Sequence, residues 1–142
     1  MTSYVSAASI LGLPKQDATG PIAFLSRVAE GLPLASLDRC SRLIAPGDVQ
    51  FNFRIVPKAT LARKRVQRAR LSAEQSDVLV RLVRVWLKSL EVWGSDAEAR
   101  DFLNRPHPLL EQRKPIDVVL AGELGGDLVT DILGRLQYGS AA

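Results

Sequence analysis

The segment from Ser72 to Trp93 constrains the fold more strongly than any other part of the chain. It opens with Ser72-Ala73-Glu74-Gln75, a capping box in which serine and glutamine can satisfy the first free amides of a helix. Apolar residues then recur at spacings of three and four, with a second apolar row beside the first: Val78, Leu82, Trp86, Leu90 and Trp93, flanked by Leu79, Val83 and Leu87. This period predicts one long helix, buried on two sides, in an all-α protein.

Shorter helical patterns flank this segment on both sides. The sequence predicts helices from Pro21 to Gly31 and over residues 34–44 and 60–70. Residues 48–56 are ambiguous, because their apolar residues alternate as in a strand, but the run is short and isolated and we predict a short helix there. Beyond Gly94, we expect helices from a second capping box at Ser95-Asp96-Ala97-Glu98, from Pro115, and over residues 123–138. The domain prediction is a loose arm (residues 1–20), a helix-turn-helix-like domain (21–70) and a C-terminal domain (71–142).

Charge divides the chain near the same boundary. Residues 1–70 hold 11 Lys and Arg against 4 Asp and Glu, whereas residues 71–142 hold 8 against 11. A basic half beside an acidic half suggests nucleic acid on one side and a protein partner on the other. Chance scatter of charge on a small protein is the simpler alternative.

The densest basic run lies between Arg54 and Arg70, and no acidic residue occurs from Val49 to Ala73. Together with the short helix before it and the turn at Pro57, this run outlines a helix-turn-helix, and a basic helix can bind phosphates and reach a major groove. A solvated basic face is the plainer interpretation. The candidate DNA-binding residues are Lys58, Thr60, Arg63, Lys64, Arg65 and Arg68.

The residues that catalysis and metal binding need are scarce. The lone histidine, His107, stands between two prolines and is expected to be structural, and the lone cysteine, Cys40, excludes an internal disulfide and the ordinary zinc patterns. We therefore predict neither an enzyme, nor a cofactor, nor a metal. Charges within the most apolar helix argue against a transmembrane span, no signal peptide is evident, and the free cysteine fits the cytoplasm.

A series of short motifs in fixed order resembles the Xre/MbcA/ParS antitoxins, the partners of RES-domain toxins. The resemblance begins at Gly31 and covers about four-fifths of the chain. The motifs are Leu71–Asp77, the apolar helix Val78–Val85, Glu91–Gly94, Phe102–Pro106, Pro108–Pro115 and Asp131–Gly139, with Gly31–Pro33 and Ala59–Arg65 upstream. The chain departs from the family at Glu111-Gln112, where a glycine pair is common, at Ala121-Gly122, where Asp-Thr is common, and over residues 48–55.

The resemblance implies a division of labour. The C-terminal domain would bind a RES-domain toxin that uses NAD and would block its pocket. The N-terminal part would form a homodimer, bind operator DNA and repress its own operon, as in type II toxin–antitoxin systems. A stand-alone helix-turn-helix repressor is the alternative function.

The last helix supplies the predicted toxin-binding residues. We expect Leu128, Ile132 and Leu136 to pack it onto its own domain, which leaves the opposite face for a partner. From the residues alone, the small neutral tail is simply a frayed terminus. The resemblance instead favours a segment, Arg135–Ala142, that plugs the toxin's NAD site. The candidate toxin-binding residues are Asp131, Arg135, Gln137, Tyr138, Gly139, Ser140, Ala141 and Ala142.

Overall fold

The computed structural model describes residues 3–139, and these residues form helices and no β-strand, which confirms the all-α prediction. They divide into two compact units, Met1–Val80 and Arg81–Ala142, called here the N-terminal and C-terminal units. The longest helix crosses the division, so each unit takes part of it. No helix among residues 3–139 is long and apolar enough to span a bilayer.

The N-terminal unit contains five complete helices and the start of a sixth. Their bounds are α1 (Ser3–Ile10), α2 (Pro21–Glu30), α3 (Leu34–Ile44), α4 (Phe51–Ile55), α5 (Lys58–Gln67) and α6 (Ala73–Trp93), with a short 3-10 turn at Lys15–Ala18. Its core is apolar and almost fully enclosed, with Leu32, Leu37, Ile44, Phe51 and Val56 at zero exposure.

The expectation of a loose arm over residues 1–20 is wrong. Helix α1 buries Ala7, Ala8 and Leu11, and the Ser36 hydroxyl donates a 2.7 Å hydrogen bond to the Leu11 carbonyl. Tyr4 adds a ring contact with Phe24 at 6.4 Å between centroids. The helical spacing is present at these positions, but alanines contribute so little apolar area that the pattern is weak in the sequence.

The capping box predicted at the start of α6 is confirmed in both directions. The Gln75 amide donates to the Ser72 hydroxyl at 3.0 Å, and the Ser72 amide donates to the Gln75 side chain at 2.9 Å. One turn later, buried Ser76 accepts a 2.8 Å hydrogen bond from the Leu32 amide, which fixes the start of α6 against the turn between α2 and α3.

The C-terminal unit contains the rest of α6 together with α7 (Asp96–Leu103), α8 (Pro115–Ala121) and α9 (Glu123–Gln137). The predicted cap at Ser95 is confirmed, because its hydroxyl accepts from the Glu98 amide. Of the five residues on the α6 face predicted to be buried, Leu82 and Trp86 are fully enclosed, whereas Val78, Leu90 and Trp93 are half-buried. Leu79, Val83 and Val85 are buried as well, so burial extends to both sides of the line through Leu82 and Trp86.

The loop before α8 contains one of the departures from the family pattern, at Glu111 and Gln112. Glu111 and Gln112 have φ values of 54° and 66°, in the left-handed region that favours glycine. Amide hydrogen bonds close the loop nonetheless, since the amides of His107 and Gln112 donate to the carbonyls of Arg113 and His107, each at 3.0 Å. The loop therefore keeps a glycine-type backbone with non-glycine residues.

Candidate interaction surfaces

Helices α4 and α5 form the helix-turn-helix outlined by the sequence. Helix α4 ends at Ile55, Pro57 precedes α5, and three buried apolar side chains hold the pair on the N-terminal unit: Phe51, Val56 and Leu61. Because Leu61 is the one buried residue of α5, most of this helix faces solvent. Helix α5 is thus an exposed basic helix that is packed onto the N-terminal unit through a few buried side chains.

Three predicted DNA-binding residues lie near the start and middle of α5. Lys58 places its ammonium 5.6 Å from the centre of the Phe53 ring, and Thr60 is half-buried. Arg63 is exposed and forms no hydrogen bond or ion pair within residues 3–139. These side chains leave α5 with donors that are free to meet an external acceptor.

Two other predicted DNA-binding residues already have partners inside the unit. Arg65 donates two hydrogen bonds to Asp38, at 3.0 and 3.2 Å, and Asn52 donates a third to the same carboxylate at 3.0 Å. Burial alone would raise the pKa of Asp38, but the hydrogen bonds from Arg65 and Asn52 and the arginine charges outweigh it and lower the pKa. The same pair raises the pKa of Arg65. Lys64 donates to the Arg70 carbonyl at 2.8 Å.

The predicted helix over residues 60–70 is too long, and Arg68 lies outside it. Helix α5 ends at Gln67, and Arg68 adopts a left-handed conformation with φ of 53°. The Ala69 amide then donates to the Lys64 carbonyl at 2.9 Å, and the Arg68 amide to the Arg65 carbonyl at 3.3 Å. This is the Schellman arrangement, in which the residue at the position of Arg68 is usually glycine. Arg68 therefore leaves the line of α5 and projects from the turn beyond it.

In the C-terminal unit, the buried face of α9 differs from the predicted one. Gly126, Val129, Ile132 and Leu133 are buried, whereas Leu128 is 54% exposed. The cause is the close contact of α9 with α8. A side chain at Gly125 would collide with the Val118 carbonyl, so α9 turns its glycines inward and its leucine outward.

The opposite face of α9 is a stripe of five exposed residues, called here the α9 face. At 100° per residue these positions fall within roughly 40° of a common line along the helix. Its members are Leu124 (79% exposed), Leu128, Asp131, Arg135 and Tyr138 (80% exposed). Neither Asp131 nor Arg135 forms a hydrogen bond or ion pair within the described part of the chain. The sequence predicted Asp131, Arg135 and Tyr138 here but missed the two leucines.

The remaining predicted toxin-binding residues are less informative. The Gln137 side chain accepts a hydrogen bond from Lys88, and Gly139 has a φ of 74°. Ser140, Ala141 and Ala142 lie outside the described residues.

The two residues singled out as potential reactive groups are packed into the fold. The His107 Nδ1 accepts from the Leu109 amide at 3.1 Å, and the imidazole contacts the Phe102 ring edge-on, as expected of a structural histidine. Burial raises the pKa of the Cys40 thiol to about 12, only partly offset by the charge of Arg39. No group of three metal-ligating side chains occurs among residues 3–139.

Comparisons with known proteins match both parts of the chain. Residues 23–84 match the antitoxin Xre-like helix-turn-helix domain, and residues 88–139 match the antitoxin Xre/MbcA/ParS C-terminal toxin-binding domain. The chain is also similar to Antitoxin Xre of Yersinia enterocolitica serotype O:8 / biotype 1B (strain NCTC 13174 / 8081), with 33% identity over 85 residues. That alignment covers 59% of this chain and 57% of the relative, so the chain spans little more than half the relative's length.

Proposed function

Because the chain belongs to the Xre/MbcA/ParS antitoxin family, we propose that it neutralises a RES-domain, NAD-using toxin in a type II system in the cytoplasm. The observation that carries this proposal is the α9 face, which lies inside the toxin-binding domain match. The gene beside its own is expected to encode the toxin.

The α9 face has the composition of a protein-binding surface. Leu124 and Leu128 are one turn apart and expose most of their apolar area, and Tyr138 adds an exposed aromatic ring. Large exposed side chains in one line are typical of interface anchors, around which charged residues supply specificity. Asp131 and Arg135 occupy the middle of the stripe and are free to pair with a partner.

Blocking of the toxin pocket is proposed for the segment that follows. The helix ends at Gln137 and the chain continues through Tyr138 and Gly139, whose positive φ turns the backbone away from the helical path. We propose that the segment from Arg135 onward enters the NAD site while Leu124 and Leu128 supply most of the affinity.

The test is to delete residues 138–142, which leaves α9 intact, and to co-express the truncated chain with the neighbouring RES-type protein. We expect the truncated chain to fold and to co-purify with the toxin, but to leave cellular NAD depleted and growth impaired. Full protection of NAD by the truncated chain would remove the plug from the mechanism. Loss of co-purification would instead contradict the assignment of affinity to the leucines.

Autoregulation is proposed for the N-terminal unit. The exposed Lys58 and Arg63 of α5, with half-buried Thr60 between them, are suited to operator DNA, with one protomer of a homodimer on each half-site. The exposed apolar pair Ile22 and Leu25 on α2 supports dimerisation. We expect the affinity for the DNA upstream of the gene to fall steeply as the salt concentration rises. An affinity that does not depend on salt would contradict the proposed DNA contact.

A further inference from the structure

An arginine-lined groove lies just beyond α5 in the N-terminal unit. Its walls include Arg27, Arg65, Arg68 and Arg70, with Pro33 and Leu34 as the apolar part. No carboxylate lines it. Its residues come from three places in the chain, so the groove depends on how these are held together. The places are the end of α2, the start of α3, and the end of α5 with the turn that follows it.

Backbone contacts at Gly31 and Leu32 hold the three places together. The Leu71 amide donates to the Leu32 carbonyl at 2.9 Å, which brings the turn after α5 alongside the turn between α2 and α3. Gly31 has a φ of 104°, and a side chain there would collide with the Leu71 carbonyl. The approach that forms the groove therefore requires glycine at this position.

Three of the arginines are positioned by carboxylates outside the groove. Arg27 pairs with Asp17 at 3.4 Å and also donates to the Gly31 carbonyl at 2.9 Å. Arg65 pairs with Asp38 at 3.0 Å, and Arg70 lies 3.9 Å from Glu30. These pairs hold the guanidinium groups at the groove. Each guanidinium keeps further N–H donors, and arginine binds phosphate through such donors.

Arg68 is the exception, because it forms no hydrogen bond or ion pair within residues 3–139. It also stands in the left-handed cap position where glycine is favoured. An arginine at that position costs folding stability and gains no partner in the described chain. A residue with this combination is a candidate for a role in binding.

We propose that the groove holds a phosphate of the DNA backbone next to the base pairs read by α5, with Arg68 as the principal contact. The inference rests on the proposed DNA-binding function and adds to it a contact outside the helix-turn-helix. A backbone contact of this kind positions the protein on the duplex and carries no base preference. Arg68 is therefore expected to contribute equally to specific and random DNA.

The test compares Arg68→Gly with Thr60→Ala in the full chain, on the upstream DNA and on a random duplex of equal length. We expect Arg68→Gly to lower the salt slope by about 0.9 and both affinities by about five-fold at 0.15 M salt. Thr60→Ala should instead reduce the ratio of the affinity for the upstream DNA to the affinity for the random duplex. Arg68→Lys should restore most of the slope, and Arg84→Gln, which removes an exposed charge outside the groove, should leave binding unchanged.

Stability separates a binding role from a structural one. Because glycine suits the left-handed cap, Arg68→Gly should keep or raise the melting temperature, by up to a few degrees. An unchanged salt slope for Arg68→Gly would overturn the groove and leave α5 as the DNA contact. Absence of DNA binding by the wild-type chain would overturn both proposals. If Arg68→Gly weakened toxin capture and not DNA binding, the groove would hold an acidic protein surface, which also contradicts the proposal.

Discussion

The basic surface around α5 and the α9 face differ in how many of their polar groups are already bonded within their own unit. Around α5, Arg65 is held by Asp38 and Lys64 by the Arg70 carbonyl, so two of the predicted contacts help to build the domain. On the α9 face, Asp131 and Arg135 have no such partners, and the leucines beside them are mostly exposed.

This difference shows that the number of charges in a segment overstates the surface available to a ligand. Exposed ion pairs contribute little stability, but a bidentate arginine with a second donor on the same carboxylate fixes a geometry. In contrast, a row of exposed apolar residues contributes little to the packing of its own unit and indicates a surface for a partner. Replacing an internally bonded residue such as Arg65 should therefore damage the fold, whereas replacing a residue of the α9 face should damage the complex.

The largest expected effect is on the α9 face. Leu124→Asp together with Leu128→Asp should weaken toxin affinity by at least about 100-fold, because both anchors are replaced by charges that must be desolvated. The free energy of unfolding should change by less than about 0.5 kcal/mol, since both side chains are exposed. Calorimetric titration with the toxin and thermal unfolding would measure the two quantities.

The matched control for that pair is Thr130→Asp, which adds a carboxylate to the same helix at an exposed position away from the stripe. It should retain nearly full affinity. Equal loss of affinity in the control would mean that added charge, and not the position of the leucines, weakens the complex.

An effect of intermediate size is expected for two arginines of α5, on the free energy of unfolding for Arg65 and on DNA affinity for Arg63. Arg65→Ala should lower the free energy of unfolding by about 1 kcal/mol, because it removes two of the three hydrogen bonds to the Asp38 carboxylate. Arg63→Ala, which removes an arginine without a partner in residues 3–139, should leave stability unchanged and weaken DNA binding by about five-fold. Urea unfolding and a DNA-binding isotherm for each variant would test this. A destabilised Arg63→Ala beside an unaffected Arg65→Ala would reverse our assignment of the two residues.

The smallest effect should be the pH dependence contributed by Asp38. Its pKa in the folded state lies below the ordinary value of 3.8, so the ion pair stabilises the fold fully above that value. The contribution is lost as pH falls from 3.8 through the lower folded pKa. Asp38→Asn should flatten this part of the curve of unfolding free energy against pH. A wild-type curve that is unchanged by Asp38→Asn below pH 4 would exclude the pair as a source of acid sensitivity.

The sequence was informative where long side chains repeat at helical spacing and where caps have a fixed local chemistry. The Ser72 and Ser95 caps follow from local rules, and the structure confirms them. The short helix at residues 51–55 is confirmed as well, although its apolar residues alternate as in a strand. The sequence was misleading for α1, whose packing relies on small alanines, and for α9, where the apolar pattern fits two faces equally well. Contact of Gly125 with α8 decides between those faces, and such a contact is formed only in the tertiary structure.

Part of each candidate site was likewise beyond sequence reasoning. A basic run shows that Lys64, Arg65 and Arg68 are present, but not that the first two are bonded internally and the third lies past the helix end. These outcomes depend on Asp38, which is far away in sequence, and on the left-handed turn at Arg68. The exposure of Leu128 was missed because an apolar residue in a helix is assigned by default to the core, and Leu124 was not assigned to either face.

The central claim is that the toxin is bound through the α9 face. Amide hydrogen exchange of the full chain, alone and in complex with the neighbouring RES-type protein, tests it most directly. We expect complex formation to slow exchange over residues 123–139 far more than over α5, whose surface is assigned to DNA. Strong protection of α5 with α9 unchanged would contradict the account.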